Sequence, residues 1–122
     1  MSKTVMIVDD SNSLRHVVKI ALESVNFNVL EATDGIDALE KMEGEKIHLI
    51  ISDVHMQGMD GIAFLKEVKK HPIYKFTPVI MLTTESEQDK IEEGRAAGAK
   101  AWVCKPFDAE SLLGAVKKLM LP

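Results

Sequence analysis

Short apolar runs alternate along this chain with longer segments in which apolar residues recur at helical spacing. Each run is about five residues long, and the runs at 4–8, 48–52 and 78–82 are rich in Val, Ile or Leu, which favours buried strands. This alternation is typical of repeated βα units around a parallel sheet. It predicts five strands, near residues 4–8, 27–31, 48–52, 78–82 and 100–104.

The segment after the first predicted strand has the clearest helical stripe. Ser11 or Asn12 is placed to cap its N-terminus. The apolar residues of the stripe are Leu14, Val17, Val18, Ala21, Leu22 and Val25. We expect this face of the helix to pack on the sheet.

Three further segments carry similar stripes, whereas the fourth helical segment does not. The second helix is expected to end at Gly44 and the last to begin after a cap at Asp108. The stripes of the second, third and last helices are Ile36, Leu39 and Met42; Ile62, Leu65 and Val68; and Leu112, Leu113, Val116 and Leu119. The fourth segment, residues 85–98, has Ile91 as its one large apolar residue, so we expect it to be the least firmly anchored helix.

The composition is that of one small acidic domain. The chain has 122 residues and a formal net charge of −4, which argues against a nucleic-acid groove, because such a groove needs clustered Lys and Arg. Cys104 is the only cysteine, and the sequence shows neither a signal-peptide pattern nor an apolar stretch of about 18 residues. We therefore expect a reducing, cytoplasmic setting without membrane insertion. We also expect a monomer, because the sequence leaves no isolated apolar face for an obligate dimer.

Polar residues follow four of the predicted strands. Asp9 and Asp10 follow the first strand, Asp53 the third, Thr83 the fourth and Lys105 the fifth. Ligands of open α/β sheets bind at the carboxyl ends of the strands. Three carboxylates that meet at one sheet edge must take up a proton or bind a cation. The sequence thus predicts a site of chemistry at this edge.

Each of these residues also has an ordinary structural interpretation. Adjacent acids after a strand often cap a helix or solvate a loop. Lys105 alone would be a surface lysine, and Thr83 alone would be a turn residue. Their common position at neighbouring strand ends favours the functional interpretation.

The residues at these strand ends form a set of motifs that resembles a known family. The motifs are the pair Asp9-Asp10, the pattern D-x-x-M-x-x-M-D-G from Asp53 to Gly61, the pair Thr83-Thr84, and the K-P-F sequence at Lys105. In this respect the chain resembles the receiver domains of bacterial two-component response regulators, especially free-standing members that act in chemotaxis. The resemblance implies a flavodoxin-like (βα)5 fold, with a doubly wound parallel sheet in the order 2-1-3-4-5. It implies a single receiver domain over residues 1–122, without a separate output domain.

The resemblance also assigns the reacting groups. Asp53 would accept a phosphoryl group from a sensor histidine kinase, and carboxylates are competent nucleophiles for such a transfer. An anionic nucleophile beside two further acids needs a hard divalent cation, which would be Mg²⁺, with Mn²⁺ as a substitute. The implied ligands are Asp10, Asp53 and the backbone carbonyl of His55, while Asp9 would act largely through water.

The remaining family roles concern the phosphoryl oxygens, the switch and the signal lifetime. Lys105 and Thr83 would contact the phosphoryl oxygens. Thr83 and Trp102 would then remodel the surface formed by the fourth helix, fifth strand and fifth helix, although Trp102 replaces the usual Tyr or Phe and is alternatively a packing residue. His55 and Glu85 would stand at the mouth of the site, and we hypothesise that they set the lifetime of the acyl phosphate.

The other histidines predict no metal site. His16 lies on a polar helix face, His48 precedes a strand and His71 precedes a proline, so we interpret all three as solvated side chains. The resemblance implies a cis peptide bond between Lys105 and Pro106, whereas the sequence alone indicates only that Lys105 is extended.

These features together predict a phosphorylation-driven signalling switch. Its partners would be a histidine kinase, an output target such as the flagellar motor switch, and an optional phosphatase. A free-standing phosphate sink or adaptor in another pathway would use the same site. Two alternatives come from other classes. An Mg²⁺-dependent phosphatase is disfavoured because the chain lacks the D-x-D-x-T motif of haloacid-dehalogenase-like phosphatases. A phosphorylation-independent binding module is disfavoured because such modules tend to lose part of the acid, threonine and lysine set, which this chain keeps.

Overall fold

Five strands and five helices alternate along the described part of the chain. The structure is a computed structural model and describes residues 3–84 and 88–120. The elements are β1 (Thr4–Val8), α1 (Asn12–Glu23), β2 (Asn28–Ala32), α2 (Gly35–Met42), β3 (Leu49–Asp53), α3 (Gly61–Lys70), β4 (Val79–Thr84), α4 (Gln88–Ala97), β5 (Ala101–Lys105) and α5 (Ala109–Met120).

The strands form one parallel sheet in the order β2-β1-β3-β4-β5. Successive residues of a strand point to opposite faces, so Val5 and Ile7 pack with α1 and α5, whereas Met6 and Val8 pack with α2 and α3. Both faces of the sheet are therefore covered by helices. The predicted flavodoxin-like (βα)5 fold is confirmed.

The strands match the predicted ones with a small offset. β1 has the predicted bounds, while the other four strands begin one residue later and extend further at their carboxyl ends. The predicted third strand ends before Asp53, because the prediction relies on the apolar run alone. The ladder between β3 and β4, however, continues to the pair Asp53 and Leu82. Asp53 consequently belongs to a strand, and its backbone is fixed by the sheet.

Side-chain caps hold the beginnings of four helices at the carboxyl edge of the sheet. Ser11 and Asp108 serve as caps, as predicted. Each capping oxygen accepts a backbone N–H at 2.7–3.2 Å, and the pairs are Ser11 with Leu14, Asp34 with Asp37, Asp60 with Ala63, and Asp108 with Ser111. These bonds satisfy amides that the first helical turn leaves free, and they position the loops of this edge.

Two apolar residues of the predicted stripes are exposed, so this part of the prediction is wrong. Val17 is 58% exposed and Ile36 is 51% exposed. The buried face of α1 instead contains Val18 and Leu22, together with Arg15, which has the same helical spacing. The set of apolar residues at helical spacing covers a wider part of the helix surface than the part that packs on the sheet.

Two of the three histidines predicted to be solvated have structural roles. His48 Nδ1 accepts the backbone N–H of Thr4 at 3.0 Å, and His71 Nε2 lies 3.1 Å from Glu43 Oε1. His16 is exposed, as predicted. A histidine at the end of a strand or helix can reach groups on a neighbouring segment. The sequence does not show which segments are neighbours.

Helix α4 buries Ile91 and Gly94 and no other residue, so it has the sparse apolar face that the sequence predicts. It lies beside α3. None of the helices within the described ranges is long and apolar enough to span a bilayer.

Candidate functional site

The candidate site lies at the carboxyl edge of the sheet, at the ends of the neighbouring strands β1 and β3. The chain passes from β2 on one side of β1 to β3 on the other, so the strand order reverses here. Val8 pairs with Ser52 in the ladder between β1 and β3. The next residues, Asp9 and Asp53, therefore leave neighbouring strand ends together.

Three carboxylates meet at this point, as the sequence predicts. Asp9, Asp10 and Asp53 each offer an oxygen atom, and these atoms lie within 4.8 Å of one another. Asp9 and Asp53 are buried, whereas Asp10 is exposed. The cluster thus has a desolvated floor and an opening toward water.

The environment of the Asp9 carboxylate disfavours its charged form. Burial raises the pKa of its carboxyl group, and the carboxylates of Asp53 and Asp10 raise it further. A hydrogen bond from the backbone N–H of Ser11 to Asp9 Oδ1, at 2.8 Å, lowers the pKa, as does the ammonium of Lys105. The net direction is upward, so the site favours an added positive charge next to Asp9.

The donor set fits a hard divalent cation. Within the described part of the chain, Asp9 Oδ2 is buried and has no hydrogen-bond partner. Carboxylate oxygens are the ligands that Mg²⁺ and Mn²⁺ prefer. The three acids could hold such an ion, which would supply the positive charge that the buried Asp9 carboxylate lacks.

Lys105 supplies the positive charge within the site. Its Nζ lies 3.1 Å from Asp53 Oδ2 and 3.7 Å from Asp9 Oδ2. The shorter contact has the length of a charge-assisted hydrogen bond, and the longer one is an ion pair without one. The peptide bond to Pro106 is cis. The two distances place the Lys105 ammonium beside both buried acids, at the end of β5.

Thr83 and His55 lie on two sides of Asp53. Thr83 is buried in β4, one residue beyond Leu82, which pairs with Asp53. The backbone N–H of His55 points to Asp53 Oδ1 at 3.4 Å, and its side chain is exposed. The metal-binding role of the His55 carbonyl stays a prediction. Glu85 lies outside the described residues, so its role beside His55 stays a prediction too.

Trp102 lies on β5 and packs against α4 at Gly94. A Cβ atom placed on Gly94 would come within 2.4 Å of the indole carbons Cζ2 and Cη2. Among the described residues, the buried indole Nε1 has no hydrogen-bond partner. The larger side chain that replaces the usual Tyr or Phe is thus accommodated by a glycine on the facing helix.

Arg15 is a positioning residue that the sequence reasoning missed. Its Nη1 donates to the backbone oxygen of Asp9 at 2.5 Å, its Nη2 donates to Asn12, and its Nε donates to Glu31 at 3.3 Å. These bonds fix the chain where it leaves β1. A signal was present, because Arg15 has the helical spacing of Val18 on the buried face of α1.

Gly61, the last residue of the D-x-x-M-x-x-M-D-G motif, packs closely against the end of β3. A Cβ atom at this position would lie 1.9 Å from the backbone oxygen of Asp53. The N–H of Gly61 also donates to the Val54 carbonyl at 2.8 Å. The first turn of α3 thus lies directly against the backbone of the central acid.

Comparison with known proteins shows similarity over the whole fold. A family model described as the response regulator receiver domain matches residues 5–117. The chain is 35% identical to the chemotaxis protein CheY of Pseudomonas aeruginosa over 116 residues, 94% of each protein. It is 36% identical to protein PilG of the same organism over 113 residues, 93% of this chain and 84% of PilG. The solved structure of the chemotaxis response regulator CheY4 of Vibrio cholerae is similar, with a TM-score of 0.92 and 42% identity over 98% of this chain and 99% of that one.

Replacing Asp9 should stabilise the metal-free protein. Because the folded-state pKa of Asp9 is raised, its contribution to stability is present below the unfolded-state pKa and is lost as pH rises through the folded value. At pH 7 the ionised carboxylate opposes folding. Asp9→Asn should therefore raise the free energy of unfolding by about 1 kcal/mol in urea without metal. Saturating Mg²⁺ should stabilise the wild type by about 2–3 kcal/mol and this variant by much less.

Asp37→Asn is the matched control, because a backbone hydrogen bond from Thr33 lowers the pKa of Asp37. That substitution should lower the metal-free stability and leave the Mg²⁺ effect unchanged. A metal-free Asp9→Asn protein that is no more stable than wild type would contradict the electrostatic account of the cluster.

Gly94→Ala should displace Trp102, since the added methyl group overlaps the indole ring. Alanine favours a helix over glycine by about 1 kcal/mol, yet we expect the free energy of unfolding to fall. The emission of Trp102, the single tryptophan, should shift to the red. Adding Trp102→Phe should remove the penalty.

Gly114→Ala in α5 is the control, because nothing lies within 4 Å of its Cβ position. This substitution should stabilise the protein by up to about 1 kcal/mol. A stabilising Gly94→Ala with an unshifted emission spectrum would show that the indole does not depend on Gly94.

Proposed function

The chain belongs to the response regulator receiver domain family, and we propose that it is a single-domain signalling switch phosphorylated on Asp53 by a sensor histidine kinase. The observation that carries the proposal is the contact of 3.1 Å between Lys105 Nζ and Asp53 Oδ2 within a cluster of three acids. Relatives named as chemotaxis proteins favour an output in chemotaxis, with the flagellar motor switch as the target.

Asp53 has the features of a phosphoryl acceptor. One carboxylate oxygen attacks phosphorus, the bond from phosphorus to the donor histidine nitrogen breaks, and that nitrogen keeps the electron pair. Lys105 offsets negative charge on the phosphoryl oxygens, and the hydroxyl of Thr83 donates to another of these oxygens. A bound Mg²⁺ ion would neutralise the remaining charge between the acids and the phosphoryl group.

The output surface is formed by α4, β5 and α5. The indole N–H of Trp102 has no partner in this state within the described ranges, and leaving such a group unpaired costs about 1–3 kcal/mol. Helix α4 buries only Ile91 and Gly94. A small displacement of Thr83 toward a phosphoryl group would thus act on an indole and a helix that are weakly held.

The kinase would dock beside the acids on an apolar cleft. This open cleft has a volume of about 570 Å³ and shares Lys105 with the acid cluster. Its lining residues are Ser11, Ser13, Leu14, Val17, Lys105, Pro106 and Phe107. A partner that delivers a phosphoryl group to Asp53 would cover the exposed side chain of Val17.

Acetyl phosphate should label wild-type protein with one phosphoryl group per chain in the presence of Mg²⁺. Asp53→Asn should remove the label, because the nucleophilic oxygen is lost, while Asp89→Asn at the exposed start of α4 should keep it. Intact-mass spectrometry measures the label, and Trp102 fluorescence reports the coupled change. Equal labelling of Asp53→Asn would refute the assignment.

Val17→Asp should separate kinase docking from chemistry. Transfer from a phosphorylated histidine kinase should slow by about tenfold, because a charge replaces an apolar contact, corresponding to about 1.4 kcal/mol. Labelling by acetyl phosphate should be unchanged. Ile20→Asp is the matched control, since Ile20 is 54% exposed on α1 but does not line the cleft. If both variants transfer at the wild-type rate, the kinase does not use this cleft.

A further inference from the structure

The loop between α3 and β4, residues 71–78, presents two large apolar side chains to solvent. Ile73 is 70% exposed and Phe76 is 86% exposed. They are three residues apart on two overlapping turns, which are closed by hydrogen bonds from the Lys75 N–H to the His71 carbonyl, at 3.0 Å, and from the Thr77 N–H to the Tyr74 carbonyl, at 2.9 Å. This spacing puts side chains on the same side of a helical turn. Ile73 and Phe76 thus form one surface, here termed the loop patch.

The loop patch is fixed from within by a buried tyrosine. Tyr74 is 3% exposed, and its hydroxyl donates to the carbonyl of Met42 and, at 2.6 Å, to the carbonyl of Glu45. His71 Nδ1 accepts the N–H of Ile73 at 3.0 Å. Tyr74 therefore occupies the one buried position of the turn, and its apolar neighbours are held outside.

A lysine holds the other side of the loop. Lys69 Nζ donates to the carbonyls of Lys75, at 3.3 Å, and Thr77, at 2.9 Å. The backbone is consequently ordered before any partner binds. A preorganised surface loses less conformational entropy on association, which is a property of binding sites.

The charge beside the loop patch is positive, although the chain carries a net charge of −4. Lys75 Nζ lies 5.2 Å from the centre of the Phe76 ring. Burial lowers the pKa of Lys69 and the ammonium of Lys100 lowers it further, so these two lysines are neighbours. Lys75 and Lys100 are exposed. They offer ammonium groups to a partner that carries carboxylates.

Acidic residues border the opposite side of the loop, where they disfavour an anionic bilayer. The Glu43 side chain is 66% exposed and pairs with His71, and Glu45 is also exposed. A flat anionic surface would meet these carboxylates together with the lysines. A narrow protein segment can contact the lysine side alone.

We propose that the loop patch is a docking site for an acidic amphipathic segment of a partner protein. Apolar side chains of the segment contact Ile73 and Phe76, and its carboxylates pair with Lys75 and Lys100. The loop enters the amino end of β4, whereas Asp53 lies at the carboxyl edge of the sheet. A partner bound here therefore leaves the acid cluster open.

The test uses a fluorescein-labelled synthetic helix with Leu and Trp on one face and Glu on the other, and its counterpart with Lys in place of Glu. Fluorescence anisotropy should show saturable binding of the acidic peptide alone. Phe76→Ser and Lys75→Glu should each weaken binding by about tenfold. Ile36→Ser is the matched control, since it also replaces an exposed Ile by Ser, but at the start of α2 rather than in the loop patch. This variant should bind the acidic peptide as the wild type does.

Unchanged thermal unfolding and unchanged labelling by acetyl phosphate would show that the variants keep their fold and their acid cluster. The proposal is overturned if the acidic peptide does not saturate, if Phe76→Ser binds it equally well, or if the basic peptide binds equally. Binding to vesicles of phosphatidylcholine and phosphatidylglycerol in preference to the peptide would overturn it in favour of a membrane. Self-association that Phe76→Ser abolishes, seen by sedimentation velocity, would overturn it in favour of a second copy.

Discussion

The crowding of three carboxylates at the carboxyl edge of the sheet is the constraint on which the other features of the site depend. The parallel pairing of β1 and β3 brings Asp9 and Asp53 together, and the backbone cannot separate them without breaking the ladder. When all three acids are ionised, the ammonium of Lys105 leaves two negative charges uncompensated. A divalent ion matches this difference. Binding of a cation relieves the repulsion among the carboxylates, and this relief adds to the free energy of cation binding.

The sequence was sufficient for the fold class and for the residues that end the strands. Apolar runs locate strands because a parallel sheet is buried on both faces, and the polar residue after each run necessarily lies at the ligand edge. The role of Arg15 was overlooked although its spacing matches the buried face of α1, because a charged residue on a helix usually faces water. The exposure of Val17 was also missed, since helical spacing defines a stripe but not the width of the surface that covers it.

The pairing of Trp102 with Gly94 shows why some side-chain arrangements need the fold. The two residues lie on different elements, and each alone suggests something unfavourable: a large aromatic residue at a switch position, and a glycine that weakens a helix. Together they are complementary in shape. The two residues come into contact only because α4 packs against β5. The same holds for Tyr74, whose burial explains why its apolar neighbours are outside.

The contact between Gly61 and the backbone oxygen of Asp53 has a consequence for how this site changes during evolution. All the reacting groups belong to side chains, but Gly61 has no side chain and takes no part in the reaction. The backbone of Asp53 nevertheless fits only because residue 61 lacks a Cβ atom. A lineage could retain each acid, the threonine and the lysine, and still lose the site through one substitution in the first turn of α3. Descendants that keep the reacting residues but not this glycine should be sought among receivers that have become inactive.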